Sequence, residues 1–144
     1  MGFFSKLVDK VTGGAADVTM EAPDVVARGT TMAVTATVVV DDRDIDVEAV
    51  AVELQCLVPE AAIDTNLTDG IVPPPNLRPI RSDEVRVAEA GTLAAGSRHE
   101  YTANFELPAD APTSSDDRTW MVRTVVRMPG NDPDSRWKVI RITE

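Results

Sequence analysis

The chain has 144 residues, a formal net charge of −10 and a single cysteine, Cys56. Its length fits one domain, which buries roughly 68 to 70% of the surface its unfolded form exposes, so a core forms without crosslinks. The acidic balance argues against nucleic acid, whose phosphates require clustered Lys and Arg. One cysteine excludes an intramolecular disulfide framework and a Cys-cluster zinc site, and favours a reducing, cytoplasmic setting.

At the N-terminus, Phe3, Phe4, Leu7, Val8 and Val11 recur at helical spacing, with Ser5, Lys6, Asp9 and Lys10 elsewhere on the wheel and Gly13 and Gly14 beyond. A short amphipathic helix is expected within residues 1–14. The apolar run is too short for a signal peptide, and no stretch of the sequence approaches the ~18 apolar residues of a membrane span. From Ala15 the period switches to two: Val18, Met20 and Ala22 alternate with polar neighbours until Pro23. Ala27–Gly29 reads as a turn, and Thr31–Val40 as a strand rich in Thr and Val. After the acidic turn 41–44, Ile45–Val58 alternates longest, with Val50, Val52, Leu54, Cys56 and Val58 on one face. The short turn between these two strands predicts that they pair as a hairpin.

Pro59–Ile80 carries five of the ten prolines and no sustained period, and is expected to be a long surface loop. Glu84–Ala88 reads as a short strand, and Gly91–Gly96 as a turn region. Then come Arg98–Glu106, with His99, Tyr101, Ala103 and Phe105 on one face, Trp120–Met128, and Trp137–Thr143. About seven short strands with no βαβ alternation give an all-β class, an antiparallel β-sandwich over residues 15–144 with a short N-terminal amphipathic helix.

Candidate chemistry is sparse. Asp42, Asp44, Asp46 and Glu53 occupy positions 1, 3, 5 and 12 of a calcium loop, but Val47 stands where that loop needs glycine, so a solvated turn is the favoured reading. Asp116 with Asp117, and Asp132 with Asp134 around Pro133, read as turn residues rather than acid–base pairs. A lone His99 supports no His-based metal cage, and Cys56 falls on the expected core face, where a thiol is a small apolar group. No catalytic, cofactor or metal residues are assigned.

The stretch from Phe105 to Ile140 holds the most specific pattern. Phe105, Leu107 and Pro108 close a strand in F-x-L-P, and a loop with Pro112 and Ser114 follows. Trp120 leads the next strand, and Asp132, Pro133 and Asp134 precede Trp137. Together with the opening MGFFSK and the segment Gly13–Ala16, this resembles an arrestin-like domain of the sporulation-control (SpoOM-type) family. The resemblance implies an immunoglobulin-like sandwich corresponding to the N-terminal domain of that family only, because its members usually continue into a second similar domain and this chain stops at Glu144. It also implies a non-enzymatic, cytoplasmic adaptor that binds protein partners through strand edges and loops, in sporulation or a related stress response. Homo-oligomerisation is the accompanying expectation. The alternative is a peripheral membrane protein anchored weakly by the N-terminal helix. The expected contact residues are Phe3, Phe4, Leu7 and Val8 on the helix, and Val72, Pro74 and Leu77 in the proline-rich loop.

Overall fold

The computed structural model describes residues 15–59, 77–130 and 132–144. Among them the chain forms β1 (Ala16–Glu21), β2 (Val25–Ala27), β3 (Thr31–Val40), β4 (Ile45–Val47), β5 (Ala49–Pro59), β6 (Leu77–Ala88), β7 (Gly91–Leu93), β8 (Arg98–Glu106), β9 (Thr119–Arg127) and β10 (Lys138–Thr143). No helix occurs among these residues, which corrects the expected fold class: the described residues are all-β, without a helical element. Residues 1–14, where the amphipathic helix was expected, lie outside the described residues. That expectation rested on residues 3–11 alone, fewer than the ~12–15 at which a helix holds in water without packing.

The strands form a three-stranded sheet, β1-β3-β8, a five-stranded sheet, β2-β10-β9-β5-β6, and a two-stranded ribbon, β4-β7. Pairing is antiparallel except at one edge, where β2 runs parallel to β10 with Val25 opposite Arg141. The antiparallel expectation thus holds for every named strand pair but this one. Lys138 fixes this corner, its Nζ donating to Ala22 O and lying 2.9 Å from Asp24 Oδ1. The expected hairpin of β3 with β5 does not form either. β3 lies between β1 and β8, whereas β5 lies between β6 and β9. Residues Ile45–Val47 leave to pair with β7, and the Glu48 N–H donates to Arg127 O (2.7 Å), which starts β5 in the other sheet.

Alternation sets what is buried. In β3 the residues Met32, Val34, Ala36, Val38 and Val40 point inward, and in β9 Trp120, Val122, Thr124 and Val126 do the same. One apolar cluster joins Met32, Val34 and Phe105 of the smaller sheet to Leu54, Cys56, Trp120, Ile140 and Ile142 of the larger. A second joins Val18, Val38 and Val40 to Val50 and Val126, and the ribbon adds Ile45 and Val47. Trp120 is fully buried, and its Nε1–H donates to Pro112 O (2.8 Å), so the indole adds its area without leaving a donor unpaired.

The closing loops are built from hydrogen bonds that the sequence motif supplies. Asp132 Oδ1 accepts from the Met128 N–H (3.1 Å), and Asp134 Oδ1 accepts from the Arg136 N–H (2.7 Å). The Val126 N–H donates to Pro133 O and the Ser135 N–H to Thr124 O, so this segment pairs with β9 before β10 takes over. Arg136 makes the break between them, at φ 68°, a left-handed conformation that the Asp134 bond holds in place. Ser114 acts similarly: its N–H donates to Ile142 O, and its Oγ accepts from the Ile142 N–H.

Thr124 is the exception in the inward row of β9. It is fully buried, and its Oγ1 has no partner among the described residues. Thr124→Val keeps the shape and removes the unpaired hydroxyl, so stability is expected to rise by about 1 kcal/mol in equilibrium urea unfolding. A loss of similar size would show that the hydroxyl is satisfied in solution.

Candidate partner-binding surface

Of the expected contact residues, Phe3, Phe4, Leu7, Val8, Val72 and Pro74 lie outside the described residues. Leu77 falls not in a loop but at the start of β6, paired with Pro59. The sequence placed this strand seven residues too late because prolines are rare in strands. Pro79 is tolerated here since β6 is an edge strand, where a missing N–H need not break a ladder.

The acidic turn is occupied by the chain itself. Asp44 Oδ1 accepts from the Ala95 N–H (2.8 Å) and Asp46 Oδ1 from the Thr92 hydroxyl (2.7 Å), tying the β4–β7 ribbon together. Glu53 lies apart from them, engaged by two arginines. His99 stacks on Tyr101 with ring centroids 6.3 Å apart, and its Nε2 lies 2.8 Å from Ser97 Oγ. Cys56 is fully buried, and burial pushes its thiol up from the ordinary range, away from the thiolate a nucleophile needs.

A charged network that sequence reading missed covers the outer face of the five-stranded sheet. Glu53 projects outward from β5, where Arg123 is its register partner on β9 and Glu84 its partner on β6. Its Oε1 lies 2.6 Å from Arg123 Nε and its Oε2 lies 2.8 Å from Arg127 Nη2. Arg127 also reaches Glu84 (3.1 Å), while Arg123 reaches Asp134 (3.3 Å) and stacks over the Trp137 ring at 4.7 Å. Desolvation pulls the Arg127 guanidinium down, but the Glu84 and Glu53 carboxylates outweigh it and leave it above its ordinary value. The available signal was Glu53 itself, a charge inside the apolar run AVAVELQCLV, with two arginines four residues apart on another strand of matching period. Each carboxylate here faces a guanidinium, so the arrangement locks strands together and offers no group poised for proton transfer.

The sheet edges remain. They are β1 and β8 in the smaller sheet and β2 and β6 in the larger. β2 is three residues long. β6 carries Pro79 and slips register twice against β5, between Val50 and Ala51 and between Cys56 and Leu57, devices that blunt an edge against pairing. β8 has none of these. It pairs with β3 without interruption from Arg98 to Glu106, and Arg98, Glu100, Thr102, Asn104 and Glu106 are exposed along it.

The network yields a stability test. Glu53→Gln is expected to cost about 1–3 kcal/mol in chemical denaturation, because the amide carries no charge, keeps one acceptor oxygen for one half-buried guanidinium and sets an NH2 donor against the other. A double-mutant cycle with Arg123→Met should give a coupling of about 1 kcal/mol, whereas a coupling near zero would assign the loss to Arg127.

No curated protein matches the chain. Among solved structures it is similar to the sporulation control protein Spo0M from Bacillus subtilis, with a TM-score of 0.72 and 21% identity over 91% of this chain and 50% of that one. The chain thus spans about half the length of that protein. It is also similar to AvmM, which catalyzes macrocyclization in alchivemycin A biosynthesis, with a TM-score of 0.51 and 8% identity over 90% of this chain and 89% of that one. At these identities both likenesses concern the fold alone. The family model described as SpoOM protein matches residues 4–135, nearly the whole β assembly, and the chain belongs to the SpoOM family.

Proposed function

We propose that the chain is a non-enzymatic adaptor in sporulation control or a related stress response, working in the cytoplasm and holding protein partners along its strand edges. Family membership supports the process, since the Bacillus subtilis relative is a sporulation control protein. The observation that carries the binding mode is the unblunted β8 edge beside the blunted β6 edge. An edge strand presents unpaired N–H and C=O groups that an incoming strand can complete. The non-enzymatic reading draws support from Asp44, Asp46, Asp132 and Asp134, each accepting a hydrogen bond that fixes a turn or ribbon. No helix among the described residues is long and apolar enough to cross a membrane.

The test is affinity capture from the native host with the full chain, followed by amide hydrogen exchange of the purified complex. Slowed exchange in β8 is the expected outcome. Protection confined to the turns at 89–97 and 128–136, with the edge strands unchanged, would refute the edge-binding mode.

A further inference from the structure

We propose that β8 is a self-pairing edge, through which two copies of the chain join antiparallel about a two-fold axis at Thr102 to form one continuous six-stranded sheet. The inference rests on the edge-binding reading above and names the partner as a second copy.

The register follows from the side chains. In an antiparallel pair related by a two-fold axis, residues equidistant from the centre oppose one another. Centred on Thr102, Arg98 of each copy opposes Glu106 of the other, Glu100 opposes Asn104, and Thr102 opposes itself. Both charge pairs attract, and the overlap covers all nine residues of the strand. On the inner face His99 opposes Phe105 and Tyr101 opposes Ala103, so inward residues stay on one side of the joined sheet. Neighbouring registers are worse. Centring on Ala103 sets Glu100 against Glu106, centring on Glu100 sets that carboxylate against its own copy, and centring on Tyr101 loses both attractions. Shifts by a single residue place exposed side chains of one copy beside buried ones of the other.

The other edges fail the same comparison. β1 centred on Thr19 opposes Asp17 to Glu21, a like-charge match, and β6 is broken by its register slips and Pro79. The flank of the sandwich beside β8 is also incompletely closed. His99 and Tyr101 of β8 and Val85 and Val87 of β6 point inward yet are only half-buried, and added strands on this side would cover them. Arg98, now paired with Glu100 at 3.1 Å, is exposed and free to turn to Glu106 of the second copy.

The experiment uses the purified full chain. Sedimentation velocity is expected to show a dimer, and Thr102→Cys to cross-link it on mild oxidation. At the axis the two Cα atoms stand ~4.5–5.5 Å apart, inside the disulfide range. Asn104→Cys should not cross-link, because those positions lie ~14 Å apart in this register. Cys56 is buried and does not compete. Arg98→Glu should weaken association about tenfold or more, since the repulsion appears twice, and Arg98→Glu with Glu106→Arg should restore it. A monomer at every concentration reached, equal cross-linking at 102 and 104, or no rescue by the double reversal would each overturn the proposal. Circular dichroism melts confirm that each variant is folded. If self-pairing fails while captured host proteins still protect the edges, the adaptor reading stands alone. If both fail, both readings fall together.

Discussion

The middle strand of the larger sheet, β9, is the element on which the rest of the fold depends, because it is hydrogen-bonded on both sides for most of its length. β5 pairs with it from Ala49 to Leu57. On the other side, the segment around Asp134 and then β10 share the task. Its inward residues, Trp120, Val122 and Val126, reach both apolar clusters, and its outward arginines bind carboxylates on three other segments. A strand so engaged cannot shift by one residue without exposing Trp120 and burying Arg123. Register in the larger sheet is therefore fixed from its centre, and the edges are left to differ.

The turn chemistry extends that constraint outward. Asp134 has two oxygens with separate tasks. One accepts the Arg136 N–H and holds a left-handed residue, and the other meets the Arg123 guanidinium. The loop is thus anchored to the strand it follows through backbone and side chain together. An aspartate in a turn is ordinarily explained by local backbone bonding alone. Here the same carboxylate also joins the ion network on the sheet face, so loop and sheet are stabilised by one group.

Much of this was legible in residue order. The inward face of β8 follows from period-two alternation, whereas in β5 alternation holds only from Val52 to Cys56, because Ala49, Ala51 and Leu57 are buried as well and Val58 is not. Arg98–Glu106 has the observed bounds because nothing in that stretch competes with a strand. Pairing was less legible. The hairpin inference for β3 and β5 assumed that neighbours in sequence are neighbours in a sheet, and the detour of Ile45–Val47 into the ribbon defeats it. The parallel contact of β2 with β10 joins residues at opposite ends of the chain and leaves no local mark. Glu53 and its arginines are separated by 70 and 74 positions, so only the strand register brings them together. What sequence order conveys is which side of a strand faces the core; what it hides is which strand lies next door.

A net charge of −10 opposes self-association, since two like-charged bodies repel. Distance decides how far that objection reaches. At physiological ionic strength the Debye length is ~8 Å, so charges spread over the two bodies are largely screened from one another. Residues opposed across a strand pair stand ~5 Å apart, inside that length, and keep more of their attraction. Moderate salt therefore removes the long-range repulsion faster than it removes the Arg98–Glu106 pairs, and only high salt weakens both. An acidic surface and a complementary edge are compatible on these terms: the surface would keep chains apart in general, while the proposed β8 pairing would specify one register.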